Sequence, residues 1–275
     1  MAIRVLIAAD MEGVSGVVNW DQVTPGHYEY DRFRHIMTAD LNAAVKGALQ
    51  GGVDEVVVTD GHDRQNTILL EELDPRVKLN SGNPAPLAMV QGIESGINAV
   101  MLVGYHARAG TTNAVLDHTW SSIVLNLWLN GQLCGEIGLN AAVCGHFNIP
   151  VLMVSGDQAA GAEAADLLPN AEIAVVKTGR GRYAAECLPL ETAHQRIRDA
   201  AARAISHLRI DPALPPHRIE PPILVTVEFH TSNMADMVSL LPGVDRLDGR
   251  RIQYTADDMR SAYRFFRSAV ILAGS

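Results

Sequence analysis

Cysteine is scarce in this sequence, which has three in 275 residues: Cys134, Cys144 and Cys187. The number is odd, and no two of them are spaced as C-x-x-C. This speaks against both a disulfide framework and a cysteine-ligated zinc site. Sparse, unpaired cysteine is typical of a reducing compartment, so we expect a cytoplasmic protein.

Basic residues are also in short supply. The chain has 22 Lys and Arg against 31 Asp and Glu, and its formal net charge is -9. No basic cluster is visible, so nucleic acid and anionic membranes are not expected partners. An acidic chain is compatible with bound metal or with a cationic substrate.

Long apolar runs are missing as well. No run approaches the ~18 apolar residues that span a bilayer, and residues 1–9 do not form a signal peptide. The sequence is nevertheless 48% hydrophobic and only 19% charged, which excludes a disordered chain. We therefore expect a folded protein without a membrane segment, built as one large or two modest domains.

Local catalytic signatures are absent too. The sequence contains neither the H-E-x-x-H zinc motif nor the G-x-S-x-G nucleophile elbow. The segment GRGR at 179–182 is too short for a phosphate-binding loop and lacks the following Lys-Ser/Thr pair. None of these local motifs therefore identifies a catalytic site in this sequence.

The first part of the chain alternates between strand-like and helix-like segments. Apolar, β-branched runs predict strands at 3–9, 55–59 and 99–103. Helices are predicted from Thr38, as the N-cap, to about residue 50, and over 86–94. This alternation is typical of an α/β fold with a mostly parallel sheet flanked by helices.

The rest of the chain changes character. Asn130-Gly131 predicts a type I′ turn in a β-hairpin, and the elements expected after it are a helix at 136–147, a strand at 150–154 and a helix at 190–208. Five prolines fall within 211–222. We predict an α/β region over 1–210, a proline-rich linker over 211–222 and a smaller α+β segment over 223–275. The pattern leaves open whether that last segment is a separate domain or packs on the same core.

Polar side chains follow the predicted strands at the points where they end. Asp10 and Glu12 follow the first strand, His62 the second and His106 the third, and Glu136 begins the helix after the hairpin. Ligands of open α/β sheets bind at the carboxyl ends of parallel strands. We therefore expect these side chains at one edge of the sheet, which makes residues 1–210 the candidate catalytic region.

This set offers nitrogen and oxygen ligands without sulfur. Two imidazoles and three carboxylates suit zinc, with manganese or cobalt as substitutes. Five protein ligands are too many for a single tetrahedral catalytic zinc, which keeps one position open. Two ions that share a bridging carboxylate, at a spacing of ~3.5–4 Å, account for the number.

Simpler interpretations exist for each residue. A strand-end carboxylate is often a helix cap or a loop acceptor, and a lone histidine such as His62 or His106 is more often structural than catalytic. His118 could move a proton beside a metal site, with Asp117 orienting it, or it could be a surface-loop residue. Arg108 could bind a carboxylate or face solvent.

Taken together, these motifs resemble those of the zinc-dependent D-aminopeptidase family of bacterial dipeptide operons. The resemblance extends over nearly the whole chain. It rests on six short segments: DMEG at 10–13, DGH at 60–62, GYHA at 104–107, DHT at 117–119, GEIGLN at 135–140 and PVLMVSGD at 150–157.

The resemblance implies a role for each candidate ligand. Asp10 would bridge two zinc ions, Glu12 and His62 would complete one of them, and His106 and Glu136 would complete the other. Members of this family bind two zinc ions per subunit, which matches the number of ligands.

The resemblance also implies an activity and an assembly. His118 would be the catalytic histidine, and the substrates would be short peptides that begin with a D-residue, such as D-Ala-D-Ala, or their amides. The subunits would form a ring-shaped homo-oligomer. The last predicted helix, at 257–272, carries Tyr263, Phe265 and Phe266, and we expect this cluster to add apolar surface for assembly.

Two other functions use the same ligands. One is a different dinuclear hydrolase, an amidase or a phosphatase, although a phosphatase should offer convergent Arg or Lys side chains. The other is a non-catalytic oligomeric binding protein with structural metals, whose sites should be closed four-ligand cages.

Overall fold

The structure is a computed structural model that describes residues 2–275. Residue 1, the first of the predicted α/β region, lies outside the described residues. The strands are β1 (Arg4–Ala9), β2 (Glu55–Asp60), β3 (Lys78–Asn80), β4 (Ala99–Tyr105), β5 (Val124–Leu129), β6 (Gln132–Cys134), β7 (Val151–Asp157), β8 (Glu172–Gly181), β9 (Ala184–Cys187), β10 (Ile223–Phe229), β11 (Val244–Arg246) and β12 (Arg251–Ala256). The α-helices are α1 (Tyr30–Gly51), α2 (Glu136–His146), α3 (Gln158–Leu167), α4 (Leu190–Ile210), α5 (Ser232–Val238) and α6 (Met259–Ala273).

The larger sheet has seven strands in the order β3-β2-β1-β4-β7-β8-β9. Every neighbouring pair is parallel except β8 and β9, which form an antiparallel hairpin at the edge. The predicted α/β class with a mostly parallel sheet is confirmed. The order places β1 between β2 and β4, at the centre of the strands that carry the candidate ligands.

Helices cover both faces of this sheet, as the alternation of side chains along β1 shows. Val5 and Ile7 belong to the apolar cluster that includes α1 and α4. Leu6 and Ala8 point to the opposite face, into the cluster formed with α2, α3 and the second sheet. Successive residues of a strand point to opposite faces, so an apolar run such as residues 5–9 indicates a strand buried on both sides.

The second sheet has five strands in the order β11-β12-β10-β5-β6 and is antiparallel. β10 follows the proline-rich stretch 211–222, yet it pairs with β5 of the predicted hairpin. The C-terminal strands therefore share a sheet with the middle of the chain. Tyr263 and Phe266 of α6 are fully buried in the core below this sheet and add no apolar surface, whereas Phe265 is half-buried and stacks on Tyr254. The division at 211–222 stays a prediction.

Two local predictions differ from the structure, and two elements have no predicted counterpart. α1 begins at Tyr30, and Thr38 lies inside it with its hydroxyl donated to the Arg34 carbonyl at 2.9 Å. The predicted helix at 86–94 is one short turn (Ala88–Val90), because Gly92 adopts a left-handed conformation with φ of 92°. α3 and the β8–β9 hairpin were not predicted. Within residues 2–275, no helix combines the length and the apolar character needed to cross a membrane.

Candidate metal centre

The centre of the larger sheet brings three chain segments to one edge. β2, β1 and β4 are parallel neighbours, so their carboxyl ends lie side by side. Asp10 directly follows β1, His62 lies two residues beyond β2 and His106 directly follows β4. The topology therefore places these three side chains at the edge where α/β sheets bind ligands.

Two glycines let the segment after β1 approach the end of β4. The amide of Asp10 donates to the Val103 carbonyl at 2.9 Å, and the amide of Gly13 donates to the Gly104 carbonyl at 2.8 Å. A Cβ at position 13 would collide with the carbonyl oxygen of Tyr105. Gly104 has φ of 78°, which strains residues with a side chain. This close backbone contact fixes where Asp10 and Glu12 lie relative to His106.

A buried lysine on β8 holds the same segment from the other side. The Lys177 ammonium is fully buried and donates to the carbonyls of Glu12 (2.6 Å), Val14 (2.9 Å) and Val17 (2.8 Å). Burial lowers the pKa of Lys177 to about 8, although nearby acidic groups oppose that shift. Its role is to order the backbone that presents Glu12.

Asp60 orders the neighbouring segment after β2. One of its carboxylate oxygens accepts from the amides of Thr67 (2.6 Å) and Ile68 (2.8 Å), and the other accepts from the His62 amide (3.3 Å). Burial raises the pKa of Asp60, and these amides oppose that shift. Asp60 is therefore the loop acceptor of the simpler interpretation, and it positions His62.

The first group of candidate ligands consists of Asp10, Glu12 and His62, all buried. His62 Nδ1 lies 3.2 Å from Glu12 Oε2 and 3.4 Å from Asp10 Oδ1. One ligand atom from each residue lies within 4.8 Å of the others, which is compact enough to enclose a cation.

The second group lies on the other side of Asp10. His106 Nε2 is 3.3 Å from Asp10 Oδ2 and 3.2 Å from Glu136 Oε1. His118 Nε2 lies 3.8 Å from the same Glu136 oxygen, and these three residues also form a compact group. The two carboxylate oxygens of Asp10 therefore face different histidines, one in each group.

The tautomer of each histidine is set by a backbone carbonyl. His62 Nε2 lies 2.7 Å from the carbonyl of Val23, His106 Nδ1 lies 3.0 Å from that of Ala107, and His118 Nδ1 lies 2.8 Å from that of Leu116. A nitrogen next to a carbonyl carries the proton, so in the neutral ring the other nitrogen presents a lone pair. In all three rings that lone pair faces carboxylate oxygens, a pattern typical of metal-binding histidines.

Several atoms at this centre are buried without a hydrogen-bond partner. Among residues 2–275, no partner is found for Asp10 Oδ2, Glu12 Oε2 or His106 Nε2, even though they lie close to one another. A buried polar atom left unpaired costs about 1–3 kcal/mol, and more when it is charged. Cations between these atoms would satisfy all of them, so the residues present fit bound metal.

The electrostatics of the centre also favour a bound cation. Burial opposes ionisation of Asp10, but the His106 and His62 rings outweigh it and hold its pKa below the usual range. Burial likewise disfavours a charged imidazole, yet Glu12 and Asp10 raise the pKa of His62 well above its ordinary value, and Glu136 and Asp10 do the same for His106. The centre stabilises positive charge, whether on a ring or on a metal ion.

His118 has surroundings unlike those of the other two histidines. Its ring stacks on His106 with a centroid distance of 3.9 Å and an angle of 11° between planes, and Trp20 packs edge-on at 5.4 Å. Lone pairs lie in the ring plane, so two nearly parallel stacked rings do not direct their lone pairs at one point. Glu136 Oε1, which both rings approach, also accepts from the Trp120 amide at 2.7 Å.

The structure brings every predicted site residue to this edge of the sheet: Asp10, Glu12, His62, His106, Glu136 and His118. The Arg108 side chain does not line the cavity above the centre, and its Nη1 donates to the neighbouring Ala109 carbonyl at 3.5 Å. The sequence-based prediction missed Lys177, although a lone lysine inside the apolar strand β8 is a signal of a buried, fully paired ammonium. It also missed Arg182, which lines that cavity.

Three comparisons with known proteins identify the family of this chain. The sequence model of the D-aminopeptidase family matches residues 3–268. A D-aminopeptidase from Bacillus subtilis (strain 168) is 36% identical over 263 residues, which cover 95% of this chain and 94% of that protein. The solved structure of DppA from Bacillus subtilis, described as a Zn-dependent D-aminopeptidase and a self-compartmentalizing protease, superimposes with a TM-score of 0.95. It is 33% identical in sequence, and the match covers 99% of this chain and 98% of DppA. With the strand-end carboxylates and histidines on the same sheet edge, these matches show that the chain belongs to the D-aminopeptidase family and is an aminopeptidase of that type.

Proposed function

We propose that this enzyme uses two zinc ions per subunit to remove the N-terminal D-residue from short peptides such as D-alanyl-D-alanine, or from their amides. The observation that carries the dinuclear assignment is the position of Asp10, whose Oδ1 faces His62 at 3.4 Å and whose Oδ2 faces His106 at 3.3 Å. A carboxylate that presents one oxygen to each of two ligand groups suits a bridging role.

The remaining ligands divide between the two ions. Glu12 and His62 belong to the first group, and His106 and Glu136 belong to the second. The donor set is all nitrogen and oxygen, which zinc accepts, and the homologue DppA is described as Zn-dependent. When bound, the ions supply Lewis acidity at the scissile carbonyl and a water nucleophile at neutral pH.

His118 is proposed as the catalytic residue that handles a proton. Its Nδ1 is held by the Leu116 carbonyl, which leaves Nε2 as the working nitrogen next to Glu136. Its ring stacks on the His106 ring, so the in-plane lone pairs of the two rings lie in nearly parallel planes and do not point at one position. It is also the most exposed of the three histidines, with 11% of its side chain accessible, as contact with substrate requires.

The carboxylates serve a second purpose in an exopeptidase. A substrate that enters with a free amino terminus carries an ammonium group, and the centre stabilises positive charge through Asp10, Glu12 and Glu136. The preference for a D-residue rests on family membership and on the similar Bacillus subtilis enzymes. The same similarity favours the peptidase over the phosphatase and over the binding protein.

The assay that tests this function compares matched stereoisomers. With added zinc, D-alanyl-D-alanine and D-alaninamide are expected to be hydrolysed, whereas L-alanyl-L-alanine and L-alaninamide are turned over at least tenfold more slowly, because one pocket orients one configuration at the reacting carbonyl. Release of alanine is the measurement, and a chelator-treated sample is the control. Equal rates for both series would contradict the stereochemical part, and hydrolysis of a phosphate ester instead would contradict the peptidase.

We also propose that the enzyme is a closed, ring-shaped homo-oligomer in the cytoplasm. DppA is described as self-compartmentalizing, and large apolar side chains are exposed here, among them Tyr28 (84%), Leu240 (74%) and Ile271 (72%). All three cysteines are free, which fits a reducing compartment.

Light scattering coupled to size exclusion is expected to give a mass several times that of the 29.6 kDa chain at micromolar concentration. The reason is the similarity to DppA, which is described as self-compartmentalizing, since a closed compartment is built from several symmetric subunits. The same measurement after dilution is the control for aggregation, since a closed ring keeps one mass. A monomer at every concentration would contradict the proposed assembly.

A further inference from the structure

The cavity above the candidate metal centre has walls of both charges. It encloses about 710 Å³, and Asp10, Glu12 and Glu136 line it at the centre. Two arginines, Arg182 and Arg267, line it as well. A cavity that is lined by both carboxylates and guanidinium groups is complementary to a zwitterion.

Arg267 is already engaged in holding the cavity wall. Its Nη1 donates to the carbonyls of Ala85 (2.6 Å) and Pro86 (3.1 Å). Its guanidinium carbon lies 6.0 Å from the centre of the Trp120 ring and 5.8 Å from that of Tyr263. These contacts account for Arg267 without a ligand.

Arg182 has fewer polar contacts than Arg267, although its guanidinium carbon also lies 5.9 Å from the centre of an aromatic ring, that of the exposed Tyr183. Its Nε lies 3.6 Å from Asp117 Oδ1, which is longer than a hydrogen bond, and Asp117 also accepts from the Gly110 amide at 2.7 Å. In the part of the chain that the structure describes, the Arg182 guanidinium makes no hydrogen bond. Its side chain is 44% exposed and borders the cavity, so its planar pair of terminal nitrogens is available to a ligand.

The backbone ties Arg182 to the catalytic histidine. The Arg182 carbonyl accepts from the Leu116 amide at 2.9 Å, and the Leu116 carbonyl is the group that holds His118 Nδ1 at 2.8 Å. The β8–β9 turn that carries Arg182 is therefore fixed to the segment that carries His118. The backbone at Arg182 therefore has a defined position relative to His118.

We propose that Arg182 binds the C-terminal carboxylate of the substrate, so that the site prefers short peptides with a free carboxyl end over the same peptides with a blocked end. The inference rests on the proposed peptidase function. Guanidinium groups bind carboxylates through two parallel N–H···O bonds, which gives both attraction and orientation. The substrate ammonium would then lie toward the carboxylates of the metal centre and its carboxylate toward Arg182. Arg182 is a specificity-determining residue in this assignment.

The test compares D-alanyl-D-alanine with its C-terminal amide, which differs only in the carboxylate. Arg182→Gln is expected to lower the ratio of kcat/KM for the free dipeptide to that for the amide by about 10- to 100-fold, the usual value of hydrogen bonds to a charged group. Arg182→Lys, which keeps the charge but loses the planar pair, is expected to lie between. The matched control is Arg180→Gln, two residues away, whose side chain is 62% exposed and pairs with Glu186.

Each outcome has a separate meaning. A ratio unchanged in Arg182→Gln, or lowered as much in Arg180→Gln, overturns the role of Arg182 while leaving the peptidase intact. An equal loss on both substrates also overturns it, because a general structural effect would act in that way. A wild-type enzyme that hydrolyses neither compound overturns the proposed function, and the role of Arg182 with it.

Discussion

Asp10→Ala is expected to abolish measurable turnover and to remove both metal ions together. Its two carboxylate oxygens face the two histidines of different ligand groups, at 3.4 Å and 3.3 Å. Without that carboxylate, two cations would lie close together with no shared anion between them, and each would lose a ligand. Elemental analysis is expected to find close to two zinc ions per wild-type chain and close to none per variant.

The matched control for this change is Asp31→Ala. Asp31 is also an aspartate, but its side chain is 90% exposed and its contact with Arg34 is long, at 3.8 Å. We expect this variant to keep both its metal and its activity, since exposed pairs of this kind contribute little. Retention of two ions by Asp10→Ala would contradict the bridging role, and loss of only one would assign Asp10 to a single ion.

His118→Ala is expected to separate chemistry from metal binding. Turnover should fall by ~10²–10⁴, the usual cost of losing one general acid–base group, while both ions stay in place. The reason is that the His118 ring stacks on the His106 ring at 3.9 Å. Its free nitrogen therefore lies in a different plane from that of His106 and is not proposed to bind the ion that His106 binds. Single-turnover rates and metal content, measured on the same sample, check both halves of the prediction.

His35→Ala is the control for removing an imidazole. His35 is 58% exposed and pairs with Glu72 at the surface, away from the centre, so its loss should leave turnover unchanged. If His118→Ala also leaves turnover unchanged, His118 is a loop residue without a catalytic role. If it loses one ion, His118 is a ligand, and the division of roles proposed above is wrong.

The centre of the fold was the part that sequence patterns predicted best. β1, β2 and β4 are buried on both faces, so their residues are almost all apolar and stand out. The same strands end in polar residues, and parallel pairing necessarily brings those ends together. Asp10, His62 and His106 could therefore be placed at one site without any local zinc motif.

Elements with weaker patterns were missed for physical reasons. β8 contains the buried Lys177, a charged residue that interrupts the apolar pattern of the strand. A lysine is tolerated there because three carbonyls from a distant segment pair with its ammonium. α3 is rich in alanine and has little contrast between its faces, although Asp157 caps it through the amides of Ala159 and Ala160. The exposure of the last helix was misjudged, because Tyr263 and Phe266 pack under the second sheet, whose shape the sequence alone did not reveal.

Arg182 shows a further limit of sequence patterns. Its motif, GRGR, is too short for a phosphate-binding loop, and it becomes relevant only because the β8–β9 turn lies beside the segment that carries His118. Arg108, two residues after His106 in the sequence, was the more obvious candidate, but it does not line the cavity. Which arginine lines the cavity depends on the order of the strands in the sheet, because that order sets which loops lie next to each other.

The spread of the ligands along the chain has a consequence for biosynthesis. β1 pairs with β2 and β4, which follow it much later in the sequence, and the last candidate ligand, Glu136, comes later still. Contacts that close such long loops form late in folding. A growing chain that exposes Asp10 and Glu12 before His106 exists offers two carboxylates, which bind divalent cations weakly and without selectivity. In the proposed centre the full ligand set exists only in the folded sheet, so we expect zinc to bind after the sheet forms and the metal content of a preparation to follow its fraction of natively folded molecules.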